Sequence, residues 1–184
     1  MKGIAWLRAG RLAEGIPQLQ GALETFNAHG VEISMPYYRA VLAEGLALSG
    51  DLAGGLRLIE EGLAQIARPG WEEHWYLAEI LRLKGWMFTL QGDSEGAEQN
   101  YLASLDWARE QQAKSWELRT ATSLARLWQQ QGKRAEAHQI LSEIYHWFTE
   151  GFDTKDLQEA KALLEDLGGT AKWENGEAGE KRTS

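Results

Sequence analysis

Four glycines recur along the chain at an almost constant spacing. Gly10, Gly50, Gly92 and Gly132 are separated by 40, 42 and 40 residues, and they lie in the segments AWLRAGRLAEG, LALSGDLAGG, MFTLQGDSEGA and LWQQQGKRAEA. A period in this range is typical of repeat proteins, in which each unit buries its apolar face against its neighbours. The spacing therefore predicts an array of similar units.

The residues around each glycine alternate between small and bulky side chains at helical spacing. A small residue lies seven positions before the glycine and five after it, and a bulky residue lies four before it and nine after it. The small residues are Gly3, Ala43, Gly85 and Ala125, then Gly15, Gly55, Ala97 and Ala137; the bulky ones are Trp6, Leu46, Phe88 and Trp128, then Leu19, Ile59, Tyr101 and Leu141. Small residues on one helix face admit a neighbouring backbone, and large ones fill the space beside it. Each unit is predicted to be two antiparallel helices.

This order of small, large, turn, small and large resembles the tetratricopeptide repeat (TPR), whose pattern is W-x2-L-G-x2-Y followed by A-x3-F. The resemblance covers four copies between residue 1 and about residue 150. The usual TPR period is about 34 residues, so longer helices or connections are expected here. The predicted fold is all-α: an α-solenoid of about four TPR-like helical hairpins, period 40–42, with a C-terminal capping helix.

The predicted domain covers residues 1–167, and a disordered tail that includes Trp173 is expected at 168–184. The domain is predicted to consist of a truncated first repeat at 1–30, further repeats at 36–69, 71–111 and 114–149, and a capping helix at 153–167. Helices are expected at 2–9, 12–28, 36–49, 52–67, 71–91, 94–111, 114–131, 134–149 and 154–167. The last has an apolar stripe of Leu157, Ala160, Leu163, Leu164 and Leu167. Because Met1 enters the first helix about halfway along, we expect a fragment of a longer array that forms a homodimer through its truncated N-terminal repeat.

Charge and composition argue against several classes of protein. The net charge is −8, and no lysine or arginine run is present, so binding to nucleic acid is not expected. No apolar run is long enough to cross a membrane, and the few apolar residues after Lys2 are too short for a signal peptide. The chain has no cysteine, which excludes disulfides and thiolate chemistry. A cytoplasmic protein is expected.

The residue types that carry chemistry do not form a recognisable catalytic pattern. The four histidines, His29, His74, His138 and His146, include no pair at metal-ligand spacing, and no H-E-x-x-H segment occurs. No phosphate-binding loop of the type G-x-x-x-x-G-K-[ST] is present either. We therefore expect no catalytic residue, no metal and no cofactor, and we do not expect an enzyme.

Several longer segments resemble the C-terminal TPR region of bacterial multidomain signalling proteins, in which a nucleotide cyclase or kinase domain precedes an ATPase module. They are PYYRAVLAEGLALSGDLAGGL, AEILRLKGWMFTLQGD, SWELRTATSLARLWQQQGKRAEA and WFTEGFDTKDLQEAKALLEDL. The resemblance implies a regulatory or scaffolding region attached to a signalling ATPase or cyclase. Its implied partner is a protein or peptide, including other domains of the parent chain.

Aromatic and arginine residues mark a candidate binding groove. Nine tryptophans are present, and Trp86 lies one position from the packing face of its helix. The same register on the first helices of the units places nine residues toward a concave groove: Tyr37, Glu44, Glu79, Arg82, Trp86, Arg119, Thr122, Arg126 and Gln129. Aromatic and arginine side chains are enriched at interaction hot spots, so this groove is predicted to bind a peptide or a sister domain.

Two alternatives to the groove remain open. Arg82, Arg119 and Arg126 could pair with Glu79, Glu44 or Glu117 across neighbouring helices and only solvate the surface. The region could also sense a small-molecule effector in an aromatic pocket between the third and fourth repeats.

Overall fold

The computed structural model describes residues 2–169, and these residues form helices and connecting turns without a β-strand. The prediction of an all-α fold is confirmed. The helices are α1 (Lys2–Arg8), α2 (Leu12–Ala28), α3 (Met35–Leu48), α4 (Leu52–Ile66), α5 (Leu77–Gln91), α6 (Ser94–Glu110), α7 (Lys114–Gln130), α8 (Arg134–Tyr145) and α9 (Lys155–Gly169). From residue 170 onward the predicted tail, with Trp173, lies outside the described residues.

The chain divides into two compact units between Gln111 and Gln112. Unit 1 contains α1 to α6, and unit 2 contains α7 to α9. In unit 1 the helices pack as the hairpins α1 with α2, α3 with α4 and α5 with α6. In unit 2, α7 pairs with α8, and α9 packs against both.

The four repeated glycines make the same turn in every hairpin. Gly10, Gly50, Gly92 and Gly132 have φ angles of 74°, 99°, 80° and 80°, in the left-handed region that glycine tolerates. In each turn the amide after the glycine donates to the carbonyl of the bulky residue that lies four positions before the glycine. The donor–acceptor distances are 2.8 Å for Arg11 to Trp6, 2.9 Å for Asp51 to Leu46, 3.0 Å for Asp93 to Phe88 and 2.9 Å for Lys133 to Trp128. These bonds end the first helix of each hairpin by the Schellman pattern.

Helix α5 begins at Leu77, six residues later than the predicted start at residue 71. In the segment before α5, side chains form hydrogen bonds with backbone carbonyls that would otherwise bond within a helix. The Trp71 indole N–H donates to the Glu73 carbonyl at 3.2 Å, and His74 Nε2 lies 2.8 Å from the Trp71 carbonyl oxygen. The Glu73 carboxylate accepts the backbone N–H of Ser34 at 2.9 Å, which ties this segment to the start of α3.

The last two helices also differ from their predicted bounds. Helix α8 ends at Tyr145 rather than at residue 149, because the amides of Trp147 and Phe148 bond three residues back, to Ile144 and Tyr145. Helix α9 runs from Lys155 to Gly169, so residues 168 and 169, which the sequence assigned to the tail, are helical. Neither Gly168 nor Gly169 has the positive φ that would end the helix at residue 167. Leu167 is buried, so the packed apolar stripe continues into the last turn.

Candidate binding surface

A largely buried ion pair joins two residues of the predicted groove in unit 1. The Arg82 guanidinium donates from Nε to Glu79 Oε2 and from Nη2 to Glu79 Oε1, both at 2.8 Å. The two residues are three positions apart on α5, and each side chain is only 15% exposed. This two-bond geometry is the strongest arrangement of arginine with a carboxylate.

The electrostatics of Arg82 show how firmly this charge is held. Burial alone lowers the pKa of the Arg82 guanidinium, but the attraction and hydrogen bonds of Glu79 outweigh it, and Glu44 on α3 adds to the effect. The net result is a raised pKa. Arg82 is therefore a fixed cation, and its Nε and Nη2 groups are occupied by Glu79.

The two aromatic members of the groove in unit 1 are both half-buried. Trp86 packs against the buried cluster of α3, α4 and α5 that contains Ile59, Ile80 and Met87. The Tyr37 ring stacks on Tyr76, with centroids 4.1 Å apart and planes 20° apart. Both rings are supported from behind and partly open to solvent, as an aromatic contact residue must be.

Thr122 of unit 2 does not lie on a binding surface. Its side chain is only 5% exposed, and its Oγ1 donates to the Leu118 carbonyl at 2.8 Å. A threonine in a helix commonly bonds back in this way to the preceding turn. The sequence register predicted that Thr122 faces the groove, whereas its side chain is buried.

The other three groove residues of unit 2 hold the last helix. Arg119 donates from Nε to Asp156 Oδ2 at 2.6 Å, and Arg126 donates from Nη2 to Glu159 Oε2 at 3.0 Å. Gln129 Nε2 donates to Asp166 Oδ2. These contacts link this face of α7 to the acidic side of α9, and the Arg119 and Arg126 side chains remain 42% and 48% exposed.

The outcome of the alternative pairing scheme is mixed. Arg82 does pair with Glu79, but within α5 and not across neighbouring helices as that alternative held. Arg119 and Arg126 instead pair with residues of α9 that the sequence did not bring forward. Glu117, which was a suggested partner, binds Lys114 Nζ at 2.7 Å.

The pairing of α7 with α9 predicts a response to acid. The Arg126 hydrogen bond lowers the pKa of the Glu159 carboxyl below its ordinary value of 4.5, although burial opposes the shift. A carboxyl whose folded pKa is lowered stabilises the fold above its unfolded pKa, and this contribution is lost as the pH falls through the folded value. We expect Glu159→Gln to lower the free energy of unfolding by about 0.5 kcal/mol at pH 6 and to have almost no effect at pH 3. Urea unfolding at both pH values measures this.

The matched control for the acid experiment is Glu143→Gln. Glu143 is exposed on α8 and accepts only a hydrogen bond from Gln139 at 3.1 Å. Its substitution should have the same small effect at both pH values. An effect of Glu159→Gln that does not change between pH 6 and pH 3 would contradict the role of this ion pair.

The sequence missed a set of aromatic side chains beside Tyr37. Phe26, Tyr38, Tyr76 and Trp75 lie in a continuous series of ring contacts with it. The signal in the sequence is the segment WEEHWY at residues 71–76, which is rich in aromatic side chains. The predicted helix from residue 71 gave these side chains no role. Leu90 was missed as well: it lies one turn after Trp86 on α5 and is 51% exposed.

Comparison with solved structures shows which fold this is. Two structures of a Podosopora anserina protein, described as a kinesin light chain with nearly identical TPR-like repeats, have TM-scores of 0.70 and 0.69 at 15% identity. Each match covers 93% of this chain and 85% of that one. BtubC (BKLC) from P. vanneervenii has a TM-score of 0.65 at 17% identity, covering 97% of this chain and 80% of that one. The chain thus has the fold of a TPR-like α-solenoid, as the sequence predicted.

The other comparisons and searches were negative. No protein-family model matches the chain, and no curated protein matches it. Within residues 2–169, no three histidine, aspartate or glutamate side chains are grouped so as to hold a metal ion. None of the helices described in that range has the length and apolar character needed to cross a bilayer.

Proposed function

We propose that this chain is a protein–protein interaction module that binds a peptide segment or a sister domain. TPR-like solenoids form extended surfaces suited to such partners. The contact surface that we propose is the first-helix face of unit 1, defined as Tyr37 and Glu44 on α3 and Glu79, Arg82 and Trp86 on α5. The observation that carries the proposal is Trp86, a tryptophan packed on the core below it and partly open above it.

The residues of the first-helix face have different roles in binding. Arg82 and Glu79 are locked together, so they shape the surface and fix its charge. Tyr37 and Trp86 supply the exposed aromatic area, which is the main source of affinity in protein interfaces. In unit 2, Arg119, Arg126 and Gln129 hold α9, and we assign them to the stability of that unit.

We also propose a cellular setting for this module. The resemblance of its longer segments to bacterial signalling proteins supports a regulatory TPR region attached to a signalling ATPase or nucleotide cyclase in the cytoplasm. In that setting the module recruits a protein or contacts other domains of its parent, and it binds neither nucleic acid nor membrane. Association of two copies through the N-terminal repeat is part of the same proposal, and sedimentation of the isolated module tests it.

Replacing Trp86 should weaken partner binding strongly. We expect Trp86→Ala to weaken binding at least tenfold, because truncation of a central interface aromatic commonly costs about 2 kcal/mol or more. Affinity capture from the source cell with the full-length parent, followed by titration of the captured protein, measures this. Leu90→Ser, one turn further along α5, should weaken binding severalfold without touching the core, since Leu90 is 51% exposed.

The control for this experiment is Trp147→Ala. Trp147 is 58% exposed in the segment between α8 and α9, so the change removes a tryptophan outside the proposed surface. It should leave binding unchanged. Circular dichroism separates loss of binding from loss of folding, and unchanged affinity in both the Trp86→Ala and Leu90→Ser proteins would refute the proposed surface.

A further inference from the structure

Five aromatic rings form a continuous row at one edge of unit 1, which we call the aromatic row: Phe26, Tyr38, Tyr37, Tyr76 and Trp75. The centroid distances between successive rings are 6.0, 5.5, 4.1 and 3.8 Å. The row runs from the end of α2 across the start of α3 to the segment before α5. Its end rings are open to solvent, with Phe26 37% and Trp75 49% exposed.

The exposed aliphatic side chain of Ile33 extends the apolar surface of the row. Ile33, in the turn before α3, is 74% exposed, the largest value among the exposed large apolar residues that the structure describes. It precedes Ser34, whose backbone N–H donates to Glu73 at 2.9 and 3.0 Å. The indole N–H of Trp75 donates to the same carboxylate at 3.0 Å. One carboxylate thus holds the segments of Ile33 and Trp75 side by side.

These contacts order the aromatic row in the unbound protein. Besides the bonds to Glu73, Arg8 donates from Nη2 to the Tyr37 hydroxyl oxygen at 2.9 Å. A surface that is already ordered loses little conformational entropy on binding. A solvent-exposed apolar patch of this kind, in a protein with charged surroundings, is typical of a contact site.

The charges at the Trp75 end of the row select the partner. Glu72, next to Glu73 in the chain, is exposed and forms no ion pair with a described residue. The nearby cation Arg68 is already committed to Glu32 at 2.8 Å and to the face of Trp71 at 5.3 Å. The open face of an aromatic ring itself attracts cations. This end of the row is therefore complementary to positive charge.

The Tyr76 hydroxyl in the middle of the row stays uncharged. Burial raises the pKa of Tyr76, and Tyr37, Tyr38 and Glu73 raise it further, whereas Arg8 lowers it. The row therefore presents a neutral phenol here at physiological pH.

We propose that the aromatic row binds a short peptide segment that carries lysine or arginine beside apolar residues. The cationic side chain lies on the Trp75 ring next to Glu72, and the apolar side chain covers Ile33. The site shares Tyr37 with the first-helix face but does not depend on Trp86, so the two surfaces can be separated by mutation.

Three synthetic peptides test the proposal with the whole chain. The first contains three Arg-Leu pairs separated by glycine, the second has glutamate in place of each arginine, and the third has serine in place of each leucine. By fluorescence anisotropy in 0.15 M salt, the first should bind about tenfold more tightly than either of the others. Equal binding of the first and second peptides would overturn the charge assignment, and equal binding of the first and third would overturn the apolar contact.

Variants locate the bound peptide on the molecule. Ile33→Ser and Trp75→Ala should each weaken the Arg-Leu peptide by about tenfold, and Glu72→Gln should weaken it by two- to threefold with a smaller salt dependence. Leu102→Ser, which removes a leucine 42% exposed on α6, is the matched control and should have no effect. Because Ile33 is so exposed, its substitution cannot act through folding. Unchanged binding in the Ile33→Ser and Trp75→Ala proteins, or its loss in Trp86→Ala, would overturn a separate site on the row.

Discussion

Glu79→Ala is expected to lower the free energy of unfolding by about 3 kcal/mol, because it leaves the Arg82 guanidinium buried without its main counter-charge. Both oxygens of Glu79 accept hydrogen bonds from Arg82 at 2.8 Å, and each side chain is only 15% exposed. Glu44 still attracts Arg82 in the variant, which keeps the loss at the lower end of the range for broken buried pairs. Urea unfolding followed by circular dichroism measures the change.

A second ion pair within one helix provides the control for Glu79→Ala. Lys161 and Glu165 on α9 are 3.8 Å apart, and their side chains are 63% and 68% exposed. Glu165→Ala should therefore change the free energy of unfolding by less than about 0.5 kcal/mol. Replacing Glu79 and Arg82 together by leucine should cost less than Glu79→Ala alone, since no buried charge is left unpaired. A loss below about 0.5 kcal/mol for Glu79→Ala would show that water already screens this pair.

Gly55→Ala should destabilise the protein by about 2 kcal/mol, although alanine is the better helix former. A Cβ at position 55 of α4 would lie 2.8 Å from the Ala43 carbonyl oxygen of α3 and 3.3 Å from Met87 Cε. The backbone oxygen cannot move without separating α3 from α4, so the hairpin must open slightly. This is the close approach that the small residues of the repeat were predicted to allow.

Gly21→Ala is the matched substitution and should have the opposite sign. Gly21 is also inside a helix, α2, but it is exposed and a Cβ there would have no atom within 4 Å. We expect a gain of about 0.5 to 1 kcal/mol, because alanine loses less backbone entropy than glycine on forming a helix. Thermal unfolding of both variants tests the pair. A stabilising effect of Gly55→Ala would contradict the packing role of the small residues.

The repeat made the hairpins predictable because each turn depends on local chemistry. The turn consists of a glycine with a positive φ and, directly after it, an amide that donates to the carbonyl five residues before that amide. Both features depend on residues only a few positions apart, and all four copies form this turn. Gly54 and Gly96, in the first turns of α4 and α6, also depend on contacts that are local in the chain. Their amides donate to the N-cap carboxylates Asp51 and Asp93 at 2.9 Å, and a Cβ would collide with those carboxylates.

The start of α5 and the partners of α7 could not be predicted because they depend on contacts distant in the chain. The Glu73 carboxylate binds Ser34, 39 positions away, and Arg119 binds Asp156, 37 positions away. Helical spacing identifies the face on which a residue lies, but it does not identify which helix covers that face. For this reason the sequence assigned Arg119, Arg126 and Gln129 to a groove but did not predict their contacts with α9.

Photo-crosslinking in the source cell tests the interaction surface most directly. Benzoylphenylalanine is placed in the full-length parent at position 90 of α5, one turn after an intact Trp86, where Leu90 is 51% exposed. The comparison is position 57 of α4, where the Arg57 side chain is 73% exposed. We predict that position 90 crosslinks to one discrete partner, or to another domain of the parent, and that position 57 does not. Crosslinking to the same partner at both positions, or at position 57 alone, would show that the first-helix face of unit 1 is not the binding surface.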